Sequence, residues 1–163
     1  LRGEWAEAVA AHQNSIEIAR AGRLGVEEES RLAVLGEACL GAGDARRARA
    51  LVEEALPLAR QRGNVWSQML CSVSWARVVL ATGGAGEAAR IETELRRTLG
   101  LALRTGAKAV EPLVRVELAE LARRRGDEVG RARELRQAHR LFTDIGAGGH
   151  AARLEADQAA STH

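Results

Sequence analysis

Apolar residues recur at three- and four-residue steps through almost the whole chain, and short glycine-bearing turns interrupt that rhythm at nearly even intervals. In the first stretch Trp5, Ala8, Val9, His12, Ile16 and Ala19 fall on one face, the spacing of a helix with one buried side. The pattern predicts helices over 4–21 (stopped by Gly22 and Gly25), 27–41, 45–61, 65–82, 87–104 and 111–125. A seventh follows Asp127 and runs to Ile145, and a short one covers 150–160. Asp44, Asn64 and Asp127 stand where a side-chain oxygen can accept a bond from a free first-turn amide. Pro112 lies in a first turn, where proline is tolerated, and Pro57 lies inside a helix, which it should bend. The segment from Val65 to Thr82 is apolar on nearly all sides and should be the most buried. Gly146-Ala147-Gly148-Gly149 reads as a flexible joint. Nothing alternates with period two, so no strand is expected.

The turn glycines Gly3, Gly43, Gly83 and Gly126 are separated by 40, 40 and 43 residues. Ala8, Ala48 and Ala88 each follow a glycine by five residues, and Ala132 comes one residue late. A fixed period of this size marks a stacked helical repeat. One domain over 1–163 is expected. It comprises an orphan second helix at 4–22, hairpins at 26–62, 64–105 and 109–146, and a cap at 149–160 that closes the open end. The chain starts at a turn and without methionine. The expectation is therefore a C-terminal fragment of a larger protein, lacking the helix that would cover Trp5, Val9 and Ile16. Left bare, those three residues would drive self-association.

Composition changes this picture little. Aromatic residues are only Trp5, Trp66, Trp75 and Phe142, so the core must be built of Ala, Leu and Val. Twenty-four basic residues face 22 acidic ones, a net charge of +2, too small to draw the chain to nucleic acid or membrane. The local excess is Arg123-Arg124-Arg125 with Arg131, Arg133, Arg136 and Arg140. Part of it sits in the last turn of a helix, where cations complement the dipole. Glu117, Glu120, Glu128 and Glu134 lie within reach, and no aromatic platform accompanies the run, which disfavours nucleic acid. Cys39 and Cys71 fit neither a disulfide framework nor a zinc site and read as small apolar residues in a reducing, cytoplasmic setting. No apolar run has the length of a membrane span.

The series Gly36, Gly43, Ala48 and Ala55, with spacings of 7, 5 and 7, resembles the small-residue positions of the tetratricopeptide family. A second hairpin keeps Ala76, Gly83 and Ala88, with Leu95 at the last place. A third keeps Ala119, Gly126 and Ala138. The family's large aromatic positions are absent, and the period of about forty exceeds its usual thirty-four. Longer repeats of this kind resemble those of MalT-like and LuxR-type bacterial regulators and of ATPase-linked adenylate cyclases of actinobacteria; the ending from Ala138 to Leu154 looks like the terminus of such proteins. The resemblance implies an all-α, right-handed solenoid of antiparallel helix hairpins. It implies a non-enzymatic interaction or regulatory domain of a multidomain signalling or transcriptional regulator.

Carried onto this chain, the family's groove positions are Ser30, Ala33, Glu37 and Leu40 in the first hairpin. They are Leu70, Val73, Arg77 and Leu80 in the second, and Leu113, Val116, Glu120, Arg123 and Arg124 in the third. That floor suits an extended or helical segment with apolar anchors, from another protein or from another domain of the same chain. It lacks the asparagines and lysines of a clamp for chaperone tails. A small-molecule sensor and an oligomerisation module are the alternatives, and the same apolar residues could simply cover one another. No catalytic, metal or cofactor site is expected. The few serines lack a nucleophile-elbow context, and His12, His139, His150 and His163 are scattered. Gly83-Gly84-Ala85-Gly86 lacks the lysine and hydroxyl residue of a phosphate loop.

Overall fold

The computed structural model describes residues 2–21 and 27–160. It contains α1 (Arg2–Ala21), α2 (Glu28–Ala42), α3 (Ala45–Arg62), α4 (Val65–Thr82), α5 (Ala88–Thr105), α6 (Val110–Arg124), α7 (Glu128–Asp144) and α8 (Gly148–Ala160), with a 3₁₀ turn at Ala85–Glu87. The described residues are all-α and include no strand. The expected stop at Gly22 and Gly25 lies outside them. The chain divides into two compact units, Leu1–Ala88 and Ala89–His163.

The caps form as the side chains dictate. Asp44 accepts from the Arg47 amide at 3.0 Å, Asn64 from Ser67 at 3.2 Å, and Asp127 from Gly130 at 2.8 Å. Gly43 and Gly126 end α2 and α6 with φ of 90° and 73°, a left-handed conformation that costs a glycine little. Gly83 is different. Its backbone is extended, with φ −95° and ψ 161°. A side chain there would collide with the Val79 carbonyl and the Glu87 carboxylate. That carboxylate grips both terminal nitrogens of Arg49 in α3, and residues 85–87 form a 3₁₀ turn where the sequence pattern has α5 beginning at Glu87.

In the first unit α1 packs on α2, α2 on α3, and α4 on both α2 and α3. Gly36 makes the α2–α3 crossing close. A Cβ there would stand 2.7 Å from Val52 Cγ1 and 3.2 Å from the Ala48 carbonyl. Ala48 and Ala55 are fully buried beside them. The α4 helix buries Met69, Cys71, Val73, Trp75, Ala76, Val78, Val79 and Leu80, as its unbroken apolar pattern required. The α3 helix continues past Pro57 to Arg62. In the second unit α6 packs on α7 and α7 on α8. Phe142, Ala138, Ala151 and Leu154 form a core, with Leu113, Val116, Leu135 and Ala147 against it.

The joint before α8 is not the loose segment that its glycines suggested. Gly148 and Gly149 belong to the helix. Gly146, with φ of 74°, donates to the Thr143 carbonyl at 3.0 Å, and the Ala147 amide to Phe142 at 2.8 Å. These bonds satisfy the last carbonyls of α7 and make a tight turn.

Candidate functional site

Two contacts fix how the first helices of neighbouring hairpins lie in the N-terminal unit. Ser30 Oγ is 3.5 Å from Ser67 Oγ. Seven residues further along both helices, the Ser74 hydroxyl donates to the Glu37 carboxylate. Equal steps in one direction make α2 and α4 parallel and in register. On this face Glu37 Oε2 receives Arg77 Nη1 at 2.6 Å. Both charged groups retain about a third of their exposure, at 30% and 38%. Leu40 and Leu70 are half-buried, while Ala33, Val73 and Leu80 are buried. The expected apolar floor is thus partly covered from within. What remains accessible is Leu40 and Leu70 beside a bound ion pair.

The corresponding positions in the C-terminal unit have another fate. Leu113 and Val116 of α6 are packed against the cluster of Ala138, Phe142, Ala151 and Leu154, so the apolar part of the expected groove is covered from within. Glu120 takes two bonds from Arg123, at 2.7 and 2.8 Å, and one from Arg124 at 2.8 Å. These bonds, that from Arg123 first, hold its carboxyl below the ordinary carboxylate value. Arg125 donates to Glu92 at 2.6 Å and lowers that carboxyl likewise. Arg131 meets Glu128 at 3.3 Å and Arg133 meets Glu134 at 3.1 Å. These arginines are paired with acids of their own and neighbouring helices, with Arg123 and Arg124 sharing Glu120.

Several charged groups of consequence, Glu134 apart, were not singled out from the sequence. Glu29 is 2% exposed and takes Arg62 Nη1 at 2.8 Å, while Arg62 Nη2 reaches Glu28 at 3.1 Å. This cross-link joins the first turn of α2 to the last turn of α3. Arg115 bridges Glu111 at 2.7 Å and the buried Glu134 at 2.9 Å. The partners lie 33 and 19 residues apart, beyond any helical-spacing rule. The sequence-level trace of the first pair is an acid at a helix start and a base at a helix end; the second lies inside its two helices. A small open cavity of about 170 Å³ lies among Glu111, Arg115, Gln137, Arg140 and Leu141.

At the N-terminal end, Trp5 lies over Gly41, whose added Cβ would fall 2.5 Å from the indole. Trp5 remains 42% exposed and Ile18 62%. Val9 is half-buried. Ile16, expected on the bare face, is instead only 4% exposed. The α1–α2 packing and bonds from Arg31 to Ser15 and from Arg47 to Gln13 tie this helix down.

The thiols are poorly suited to nucleophilic chemistry. Burial pushes the Cys71 thiol up to about 12, helped by the Glu29 charge, and raises Cys39 as well. Cys71 Sγ instead donates to the Glu29 carbonyl at 3.5 Å. Among the described residues no group of three or more histidines, cysteines or carboxylates is placed to hold a metal. None of the described helices is long and apolar enough to cross a membrane. His163 and Ser161 lie outside the described residues. No family model matches the chain, and no curated protein matches it.

Proposed function

We propose that this chain is a non-enzymatic protein-interaction domain of tetratricopeptide type, serving as the regulatory part of a multidomain bacterial signalling or transcriptional regulator in the cytoplasm. The observation that carries the reading is the parallel register of α2 and α4. It sets half-buried Leu40 and Leu70 on one face with the pre-oriented Glu37–Arg77 pair. Such a face offers apolar anchors and a fixed charge pattern to an extended or helical segment, in a partner or elsewhere in the same polypeptide.

Panning a displayed library of twenty-residue segments against the chain tests the proposal. Enriched segments should lose at least about tenfold in affinity, about 1.4 kcal/mol, against the Leu70→Asp chain, while Leu103→Asp, at an exposed site elsewhere, changes nothing. Enrichment of no segment, or binding indifferent to Leu70, would refute it.

A further inference from the structure

Between α4 and α5 the chain reads Gly83-Gly84-Ala85-Gly86, and its glycines are not alike. Gly83 is needed where it stands: an added Cβ would fall 2.6 Å from the Val79 carbonyl and closer still to the Glu87 carboxylate. Gly84 and Gly86 have nothing within 4 Å of such a Cβ, and neither has φ in the left-handed region. The conformation seen therefore requires glycine at the first position and not at the other two. There glycine adds only backbone freedom, and with it a larger entropy to be lost when the segment is ordered. A side chain helps to order it. Glu87, at the end of the 3₁₀ turn, accepts from Arg49 Nη1 of α3 at 2.9 Å and from Arg49 Nη2 as well. Its own amide donates to the Gly84 carbonyl at 3.2 Å. A second carboxylate stands near the same arginine nitrogen: Glu53 Oε1, one turn along α3, is 3.8 Å from Nη2. All of these residues belong to the first unit, which ends at Ala88.

We propose that residues 83–87 form a latched hinge. Arg49 grips Glu87 and keeps the segment in the turn seen; release of that pair lets Gly84 and Gly86 carry the chain through conformations that this turn does not use. Two features make the latch reversible. Its side chains are open to water, at 33% and 24% exposure, so the pair contributes on the scale of a surface contact and not of a buried one. Release also leaves the Arg49 charge with a partner, because Glu53 lies at the helical spacing at which acid and base meet. The arginine exchanges one carboxylate for another, and the linker is freed. The hinge lies where the chain leaves the first unit, so its opening loosens the start of α5 and leaves the packing among α2, α3 and α4 intact. The device is separate from the face that carries Leu40 and Leu70.

Amide hydrogen exchange of the full chain, followed residue by residue by nuclear magnetic resonance, tests the proposal, since protection reports how often a segment opens. Each rate is taken relative to that of an unstructured peptide of the same local sequence. The amides to watch are that of Gly83, which donates to the Val79 carbonyl at 2.7 Å, and that of residue 87. Glu87→Gln should lower their protection at least about threefold, the scale of one accessible ion pair, with the core amides of α3 and α4 unchanged. Added salt should do the same to the wild-type chain and little more to the variant. Gly84→Ala and Gly86→Ala should each raise protection about two- to fivefold, because they restrict the open segment and fit the turn. Glu53→Gln should raise it about twofold, the scale of one pair along a helix. Unchanged protection in Glu87→Gln, or a loss spread through α3 and α4, overturns the latch. Protection unchanged or reduced in both glycine variants overturns the hinge. No rise with Glu53→Gln overturns the exchange of partners. None of these outcomes involves Leu70, so failure here leaves the α2–α4 reading standing.

Discussion

The helices α4 and α8 each follow a helical hairpin, yet α4 is deep core, packed on both α2 and α3, and α8 packs on α7 at the edge of a smaller core. The difference begins in composition. In α4 the run from Val65 to Thr82 is apolar on nearly every side, and Trp75, Met69, Val78 and Val79 are each no more than 2% exposed. In α8 the apolar stripe narrows to Ala151 and Leu154 among charged and small residues. Burial of one leucine contributes about 1.5–3 kcal/mol, and among the described side chains of α8 Leu154 is the one large apolar residue buried, where α4 buries several. In a stacked repeat each layer is stabilised mainly by its neighbours.

The largest expected effect comes from hollowing out the stronger side of this comparison. Trp75→Ala should lower stability by about 3–5 kcal/mol, read as a shifted denaturation midpoint, and should loosen α2 and α3 with α4. A loss below about 1 kcal/mol would mean that α4 is no more a core element than α8. Next in size is Arg62→Ala. It strips the buried Glu29 of its cross-link, at a cost of about 2 kcal/mol, reduced from the full value of a buried pair because Arg62 is about a third exposed. Adding Glu29→Gln should recover part of the loss, and a double mutant no better than the single would show that the charge itself is not what suffers.

Leu154→Ala should cost less, about 1–2 kcal/mol, because an edge site relaxes more readily than a closed core. Hydrogen exchange should show the effect confined to α8 and the end of α7. Faster exchange throughout the second unit would instead make α8 integral to it. The smallest effect is electrostatic. Glu92 and Glu120 are held below their ordinary value of 4.5 by Arg125 and Arg123. Their folded values are depressed, so their contribution is complete above the ordinary value and fades as pH falls through the lowered one. Glu92→Gln should therefore matter little in acid and destabilise slightly at neutral pH, and added salt should shrink the difference. Equal effects at pH 3 and pH 7 would contradict that assignment.

The elements themselves were legible because helical period, caps and turn glycines are local signals. Asp44, Asn64 and Asp127 cap as their positions foretold, and the apolar run of α4 could only be buried. The candidate site was less legible. The family resemblance placed Leu113 and Val116 in a groove, but in the packed unit they lie against the cluster of Ala138, Phe142, Ala151 and Leu154. Ile16 looked bare from its own helix and is buried in the packed unit. The Arg62–Glu29 and Arg115–Glu134 pairs join residues from different helices, which no pattern along one helix reveals.

The sequence by itself determined an all-helical chain of repeating hairpins, since each helix writes its own period, start and stop within a dozen or so residues. The tertiary structure alone decided which apolar faces stay open and which charges are spent on one another. Those outcomes depend on the register between helices: Ser30 with Ser67, Glu37 with Ser74 and Arg77, and Leu113 and Val116 against the Ala138–Phe142 cluster. Register is set by the fit of many side chains at once, and no single stretch of the chain carries it.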